Sequence, residues 1–358
     1  MTQATYLNTA GCGLIAPEAL APGNRLYEAF TTNSSSASED WRFNEEQRTR
    51  ELMAAFIGAH ANNVALVPNF SWALNAVVQS LKGTERVLLY KGDYPSLLEP
   101  FRINNFAITW VDAPDAFHID MDAVRSAIVN HTVDIVAISH VQWNSAYRTD
   151  LKEIGDLCRE YGVIFIVDAT QSLGALAIDL SQLSVDVLIS SHYKWMNAGF
   201  GNGTLYIADA FMQQYPPVVG GHNSYHMVAD KWIYVPSIKS YEPGSPNMYG
   251  FSILAAEIER KNKMGLAFIE AHNRQLTALF LKAIADLKLT VIGDLNTTHR
   301  ASFVLLRDDN GLGAYLKDNG FVVTVRNGLV RISFHYYNTA DEVIKLVGSL
   351  TAFSVRNR

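Results

Sequence analysis

The chain has 358 residues, a formal net charge of −6, 49% hydrophobic residues and only two cysteines. That composition excludes a disordered tail, a disulfide-stapled secreted scaffold and a basic nucleic-acid-binding module. No stretch reaches the ~20 apolar residues of a membrane span, and Met1 to Thr5 has neither a basic nor an apolar leader region, so a soluble, cytoplasmic protein of about two domains is expected.

In chain order, the polar segment from Thr31 to Asp40, centred on Ser34-Ser35-Ser36, reads as a connector between two helical stretches. Short apolar runs follow at residues 86–90, 108–111, 133–139, 163–167, 185–189 and 203–207. Between them, residues 121–130 and 151–161 have helical character. In the second, Leu151, Ile154, Leu157 and Cys158 share one face and Gly162 ends the helix. Strands that are apolar on both faces and alternate with helices predict a mostly parallel sheet covered on both sides. From Pro216 to Pro246 the texture changes to Gly, Pro and aromatics. Residues 251–288 predict one or two long helices. Residues 322–325 and 329–333 predict a hairpin turned at Arg326-Asn327-Gly328, and residues 340–350 a closing helix. The last third is therefore expected to form a second, smaller α+β unit.

Ligands of such sheets bind beyond the carboxyl ends of the strands. Those ends carry Asp93-Tyr94, residues 140–144, Asp168 to Gln171 and Ser190 to Lys194, all polar or aromatic. Asp168 and Lys194 close two successive strand runs, so they meet at one sheet edge if the strands are neighbours. An ion pair is one reading of that meeting. Lys194, however, stands beside Tyr193, Trp195 and Met196, and apolar surroundings favour the neutral amine of a nucleophile. Gly199, Gly201 and Gly203 follow, where backbone can approach a ligand closely.

Six segments in order carry a resemblance: Asn69-Phe70-Ser71-Trp72, Gly92-Asp93-Tyr94-Pro95-Ser96, Val167-Asp168-Ala169-Thr170-Gln171, Ser191-His192-Tyr193-Lys194, Glu242-Pro243-Gly244-Ser245, and Val330-Arg331-Ile332-Ser333 with Tyr337-Asn338-Thr339. Over nearly its whole length the chain resembles the class V aminotransferase and cysteine desulfurase family of pyridoxal-phosphate enzymes, nearer its isopenicillin N epimerase-like and kynureninase-like branches. The resemblance implies fold type I: a mostly parallel seven-stranded sheet flanked by helices, plus a smaller α+β domain. The large cofactor domain would span residues 20–246, and the small one residues 1–19 plus 247–358.

The resemblance also implies roles. Lys194 would form the Schiff base with pyridoxal 5′-phosphate and move the proton at the substrate Cα. Asp168 would pair with the pyridine nitrogen and keep the ring an electron sink. Gln171 would hydrogen-bond the ring's phenolic oxygen, and Tyr94 would stack on the ring. Phe70 and Ser71, at a helix start, would hold the phosphate with Ser191 and Tyr193. His192 would point away. Gly244 and Ser245 would reach the phosphate from the partner subunit of a homodimer. Arg331 would take the substrate carboxylate, with Asn8 and Trp143 touching the substrate. Gln142, Trp143 and Asn144 remain open as the residue nearest the ring.

Two departures bear on activity. Cysteine desulfurases need a cysteine on a loop ahead of the substrate arginine, and residues 322–331 contain none. Cys158 reads as core, and Cys12 stands in the wrong place. No metal is expected, because the histidines are scattered; His222 and His226, flanked by Gly-Gly, read as a loop. The expected activity is aminotransferase-like, on an amino acid, by way of a Cα carbanion. A C–S lyase or an epimerase is the alternative, and an inactive relative the remaining one.

Overall fold

The computed structural model describes residues 4–356, apart from residues 116, 294 and 296–298; the side chains of His226 and Val228 also lie outside the described set. Seven strands form the central sheet: β1 Val64–Val67, β2 Arg86–Tyr90, β3 Ala107–Val111, β4 Ile135–Ser139, β5 Ile164–Asp168, β6 Val187–Ser191 and β7 Gly203–Ile207. Their order is β1-β7-β6-β5-β4-β2-β3. Strands β2 to β6 pair in parallel, and β7 runs antiparallel to both β6 and β1.

The expected sheet is therefore present, and its cause is visible in the alternation of side chains. Val136 and Ile138 of β4 enter one apolar core, and Ile135 and Ala137 enter the other. Phe165 and Val167 of β5 likewise face away from Ile166. Helices Phe70–Ser80 and Pro95–Ile103 cover one face. Helices Pro17–Trp41, Met121–Val129, Leu151–Tyr161 and Met248–Met264 cover the other.

The expected connector at Thr31 to Asp40 is corrected: it lies inside the helix Pro17–Trp41. The break shrinks to one residue, Asn33, which leaves helical geometry (φ −152°, ψ 84°) while its side chain accepts the Ser36 amide at 3.1 Å. A capped restart of the helix thus replaces a loop.

The long helical stretch divides at Gly265 into Met248–Met264 and Leu266–Ile284. The first half buries Phe251, Leu254 and Ile258 in the large core, so by packing it sides with the sheet. The second half packs with the closing helix Ala340–Arg356 over a three-stranded sheet of Phe303–Arg307, Leu329–Ser333 and Thr324–Arg326. Leu7 belongs to this smaller core, and Thr5–Tyr6 pairs with Phe321–Val322. The N-terminal segment is thereby tied to the C-terminal third. Among the described residues, no helix is long and apolar enough to cross a membrane.

Candidate active site

Two adjoining cavities open where the carboxyl edge of the large sheet meets the small one. The inner cavity, about 520 Å³, lies over the ends of β4, β5 and β6. The outer one, about 280 Å³, is walled by the small sheet. Tyr94, Trp143, Gln171, Tyr193 and Lys194 line both.

Asp168 ends β5 and is buried at the floor of the inner cavity. The Thr170 amide reaches its carboxylate at 2.8 Å. Burial pushes this carboxyl up to about 6, partly countered by Thr170 and the Lys194 charge. Lys194 is buried as well, and desolvation draws its ammonium down to about 8, helped by the Arg331 charge and opposed by Asp168. Its Nζ lies 5.6 Å from the Tyr94 ring centre and 5.4 Å from that of Tyr193. A lysine so placed holds a usable fraction of neutral amine. The N-terminal segment crosses close behind it: the Gly13 amide bonds the Tyr193 carbonyl at 2.8 Å, and a Cβ on Gly13 would lie 2.0 Å from the Lys194 carbonyl oxygen. Only glycine fits that crossing.

The helix Phe70–Ser80 starts at the inner cavity. Asn69 caps it, accepting the Trp72 amide at 2.9 Å. The Phe70 amide donates to Ser191 Oγ at 2.8 Å, and the Ser71 and Ser96 hydroxyls meet at 2.9 Å. Hydroxyls and first-turn amides around a helix N-terminus make an anion cradle. Tyr193 stacks on Phe200 at 4.7 Å, its phenol facing the same cavity. His192 turns away and is buried between Asn202 and Thr204.

Gln171 is spoken for on two sides: it donates to the Ala10 carbonyl at 3.1 Å and accepts the Trp195 indole N–H at 2.8 Å. Trp143 meets Tyr94 edge-on at 5.7 Å and donates to the Gly92 carbonyl. Of the open trio, Trp143 and Asn144 reach the outer cavity wall. Gln142 is buried behind it, holding Asp93 at 3.0 Å. Asp93 also accepts from the Tyr94 amide and from both the amide and hydroxyl of Ser139. It fixes the turn that presents Tyr94. Sequence reasoning gave Asp93 no role, although its place between Gly92 and Tyr94 was the available signal.

Arg331 extends from the small sheet into the outer cavity and donates to the Trp143 carbonyl at 3.2 Å. Its Nε is buried without a partner. Asn8 does not line either cavity; Ala10 and Gly11 take that place, while Asn8 accepts from the Thr324 hydroxyl. Gly244 and Ser245 do not line the cavities of their own chain, and Ser245 accepts from Arg42 at 2.7 Å. Neither cysteine lines a cavity; burial pushes the Cys158 thiol up to about 12. Among the described residues, no group of acidic, His and Cys side chains could hold a metal ion.

A buried lysine facing a buried carboxylate, an aromatic wall and a helix-start anion cradle suit a flat, phosphorylated aldehyde. The profile of the family described as aminotransferase class-V matches residues 5–346. The chain belongs to that family. Its cofactor is pyridoxal 5′-phosphate, and the chain is an enzyme of the class, so the expected family, fold class and cofactor are borne out.

A probable cysteine desulfurase of Pyrococcus abyssi is 26% identical over 330 residues, 85% of this chain and 82% of that one. An uncharacterized aminotransferase of Bacillus subtilis is 23% identical across 99% of this chain and 96% of its own. Among solved structures, the apo cysteine desulfurase of Thermococcus onnurineus superposes with a TM-score of 0.87 at 23% identity, covering 98% of this chain and 94% of its own. A cystine C–S lyase in complex with its product cysteine persulfide gives the same TM-score at 21% identity, covering 98% and 97%. These structural likenesses are likenesses of fold.

Proposed function

We propose that the chain is a pyridoxal-phosphate-dependent lyase that cleaves a C–S bond at the Cβ of an amino acid, with Lys194 as the base at Cα. The observation that carries this is Lys194 itself, a buried amine at the meeting of the two cavities whose ammonium desolvation draws down to about 8 against the field of Asp168. The relatives named as desulfurases, and the C–S lyase sharing the fold, support the lyase branch. The aminotransferase label preferred from the sequence moves to second place. A desulfurase route through an enzyme persulfide finds no thiol at either cavity wall.

When bound, the cofactor supplies an electron sink for the pair left at Cα. Lys194 would attach it and then take the Cα proton. Asp168 would hold the positive charge at the ring nitrogen. Tyr94 would cover the ring face, and the Gln171 amide would reach its phenolic oxygen. The Phe70–Ser71 turn, Ser191 and Tyr193 would hold the phosphate. Arg331 would clamp the substrate α-carboxylate, with Trp143 alongside. The working unit would be a homodimer in which Gly244 and Ser245 of one copy reach the other's phosphate; sedimentation as a monomer at assay concentration would sink that part.

The test is a substrate panel on the yellow holoenzyme. Without an added 2-oxo acid, cysteine should release pyruvate, ammonia and sulfide, and cystine pyruvate, ammonia and cysteine persulfide; Lys194→Ala should abolish borohydride-trapped cofactor. Product formation only when a 2-oxo acid is present would restore the transferase reading.

A further inference from the structure

The outer cavity holds a second guanidinium that the proposed chemistry leaves unused. Arg326, Arg331 and Lys194 all line it, and none of its lining residues is acidic. Asp168 lies in the inner cavity and offsets the lysine, not the arginines. The small sheet explains how both arginines reach one space. Thr324 pairs with Arg331 and Arg326 pairs with Leu329 across the antiparallel ladder. Residues opposite one another share a face, as do alternate residues of one strand. All four therefore face the cavity, and all four line it.

Arg326 sits where a rigid turn begins. Asn327 (φ 53°) and Gly328 (φ 70°) both adopt left-handed geometry, the pattern of a tight two-residue hairpin. The Arg326 guanidinium lies over the Trp143 ring, 5.0 Å from its centre. It makes no ion pair among the described residues. The indole orients the cation without neutralising it, leaving its donors open. The two guanidiniums also sense each other: burial lowers Arg331 to about 10, and the Arg326 charge adds to that fall against Tyr193. An α-carboxylate satisfies only one of them.

Building on the proposed lyase reading, we infer that Arg326 is a specificity residue and that the substrate is an amino acid carrying a second anionic acid group on its side chain. Arg331 takes the α-carboxylate and Arg326 takes the distal acid. The backbone of Arg326 lies two residues, or about 7 Å, further toward the turn than the row of Arg331. That spacing suits a side chain of several atoms beyond Cβ. The exposed position of Arg326, against the half-buried one of Arg331, makes the second contact the weaker and more salt-sensitive.

Two measurements on the holoenzyme test this. The first uses non-reacting acids: glutarate should bind about tenfold more tightly than butyrate by calorimetry, Arg326→Gln should erase the difference, and Arg326→Lys should keep part of it. The second compares kcat/KM for S-carboxymethylcysteine with that for its neutral isostere S-carbamoylmethylcysteine. The ratio should be about tenfold or more in the parent and fall toward one in Arg326→Gln. Equal binding of glutarate and butyrate, or a ratio that Arg326→Gln leaves unchanged, overturns the inference. If neither thioether reacts while the glutarate preference is present and lost in Arg326→Gln, the anion subsite stands and the lyase reading falls.

Discussion

Arg331 reaches across the outer cavity to the carbonyl of Trp143, at 3.2 Å, and so joins the small sheet to the turn that follows β4. A guanidinium with one donor so tied and a buried, unpaired Nε is already oriented before any substrate arrives. Preorganisation of this kind makes a carboxylate clamp effective, because little side-chain freedom remains to be lost on binding. Arg331→Gln should lower kcat/KM for the substrate by about a hundredfold or more, as expected for losing a charge-assisted pair worth roughly 3 kcal/mol. Cofactor content, read from the visible absorbance, should stay at the parent level. Loss of cofactor together with activity would mean that Arg331 supports the fold instead of the substrate.

The amine of Lys194 must be unprotonated to attach the cofactor. Desolvation, with the help of Arg331, holds it down to about 8, and Asp168 opposes that fall. The rate at which stripped protein takes up pyridoxal phosphate should therefore rise with pH and level off above about 8. Asp168→Asn removes the charge that favours the ammonium, so its uptake should level off at lower pH. A plateau near the ordinary lysine value of 10.5 in the parent would show that the site does not desolvate the amine.

Much of this site was legible because parallel strands write their ends plainly. Val167 to Gln171 changes from apolar to polar within two residues, and Ser190 to Lys194 does so one strand away. Strand β1, Val64–Val67, was not read from the sequence. The polar run ending at Asp40 misled for a different reason: hydroxyls of Thr31 and Thr32 bond carbonyls three residues back, so a serine- and threonine-rich surface can remain helical. Asp93 was given no role and Gln142 was left open beside Trp143 and Asn144, because their work is done across the sheet, on each other and on Ser139. Asn8 does not line the outer cavity of this chain; it accepts from the hydroxyl of Thr324, which does.

Glu242 anchors the segment that carries Gly244 and Ser245. Its carboxylate grips Arg50 with both oxygens, one of them at 3.0 Å, and accepts the Leu66 amide of β1 at 2.6 Å. Both side chains are almost fully buried. Breaking such a pair from one side leaves a buried charge and costs about 3–5 kcal/mol. Glu46 still contacts Arg50 at 3.2 Å, so Glu242→Gln should fall near the lower end of that range. Urea unfolding should record the loss as a lower midpoint at unchanged slope. A change below about 1 kcal/mol would show that Arg50 finds full compensation elsewhere.

Behind the catalytic turn, Lys261 is completely buried in the helix Met248–Met264. It donates to Asn197 at 2.9 Å, approaches His335 at 3.3 Å, and lies 4.5 Å from the Tyr336 ring centre. His335 in turn contacts the Trp195 carbonyl, next to Lys194. Desolvation draws Lys261 down to about 7, partly opposed by the Glu257 charge and reinforced by Arg260. The folded value lies below the unfolded one, so between about pH 7 and the unfolded value near 10.5 the unfolded chain holds a proton that the folded chain does not. Stability from this group must therefore rise with pH across that window, by at most about 1.4 kcal/mol per pH unit. Lys261→Met removes the titrating group while keeping most of its volume. Its denaturation free energy should show a flatter dependence on pH than the parent's from about pH 7 to pH 10, with the largest difference at the acidic end. Parallel curves for the two proteins would mean that Lys261 keeps its charge inside the fold, stabilised by Glu257 more strongly than burial opposes it.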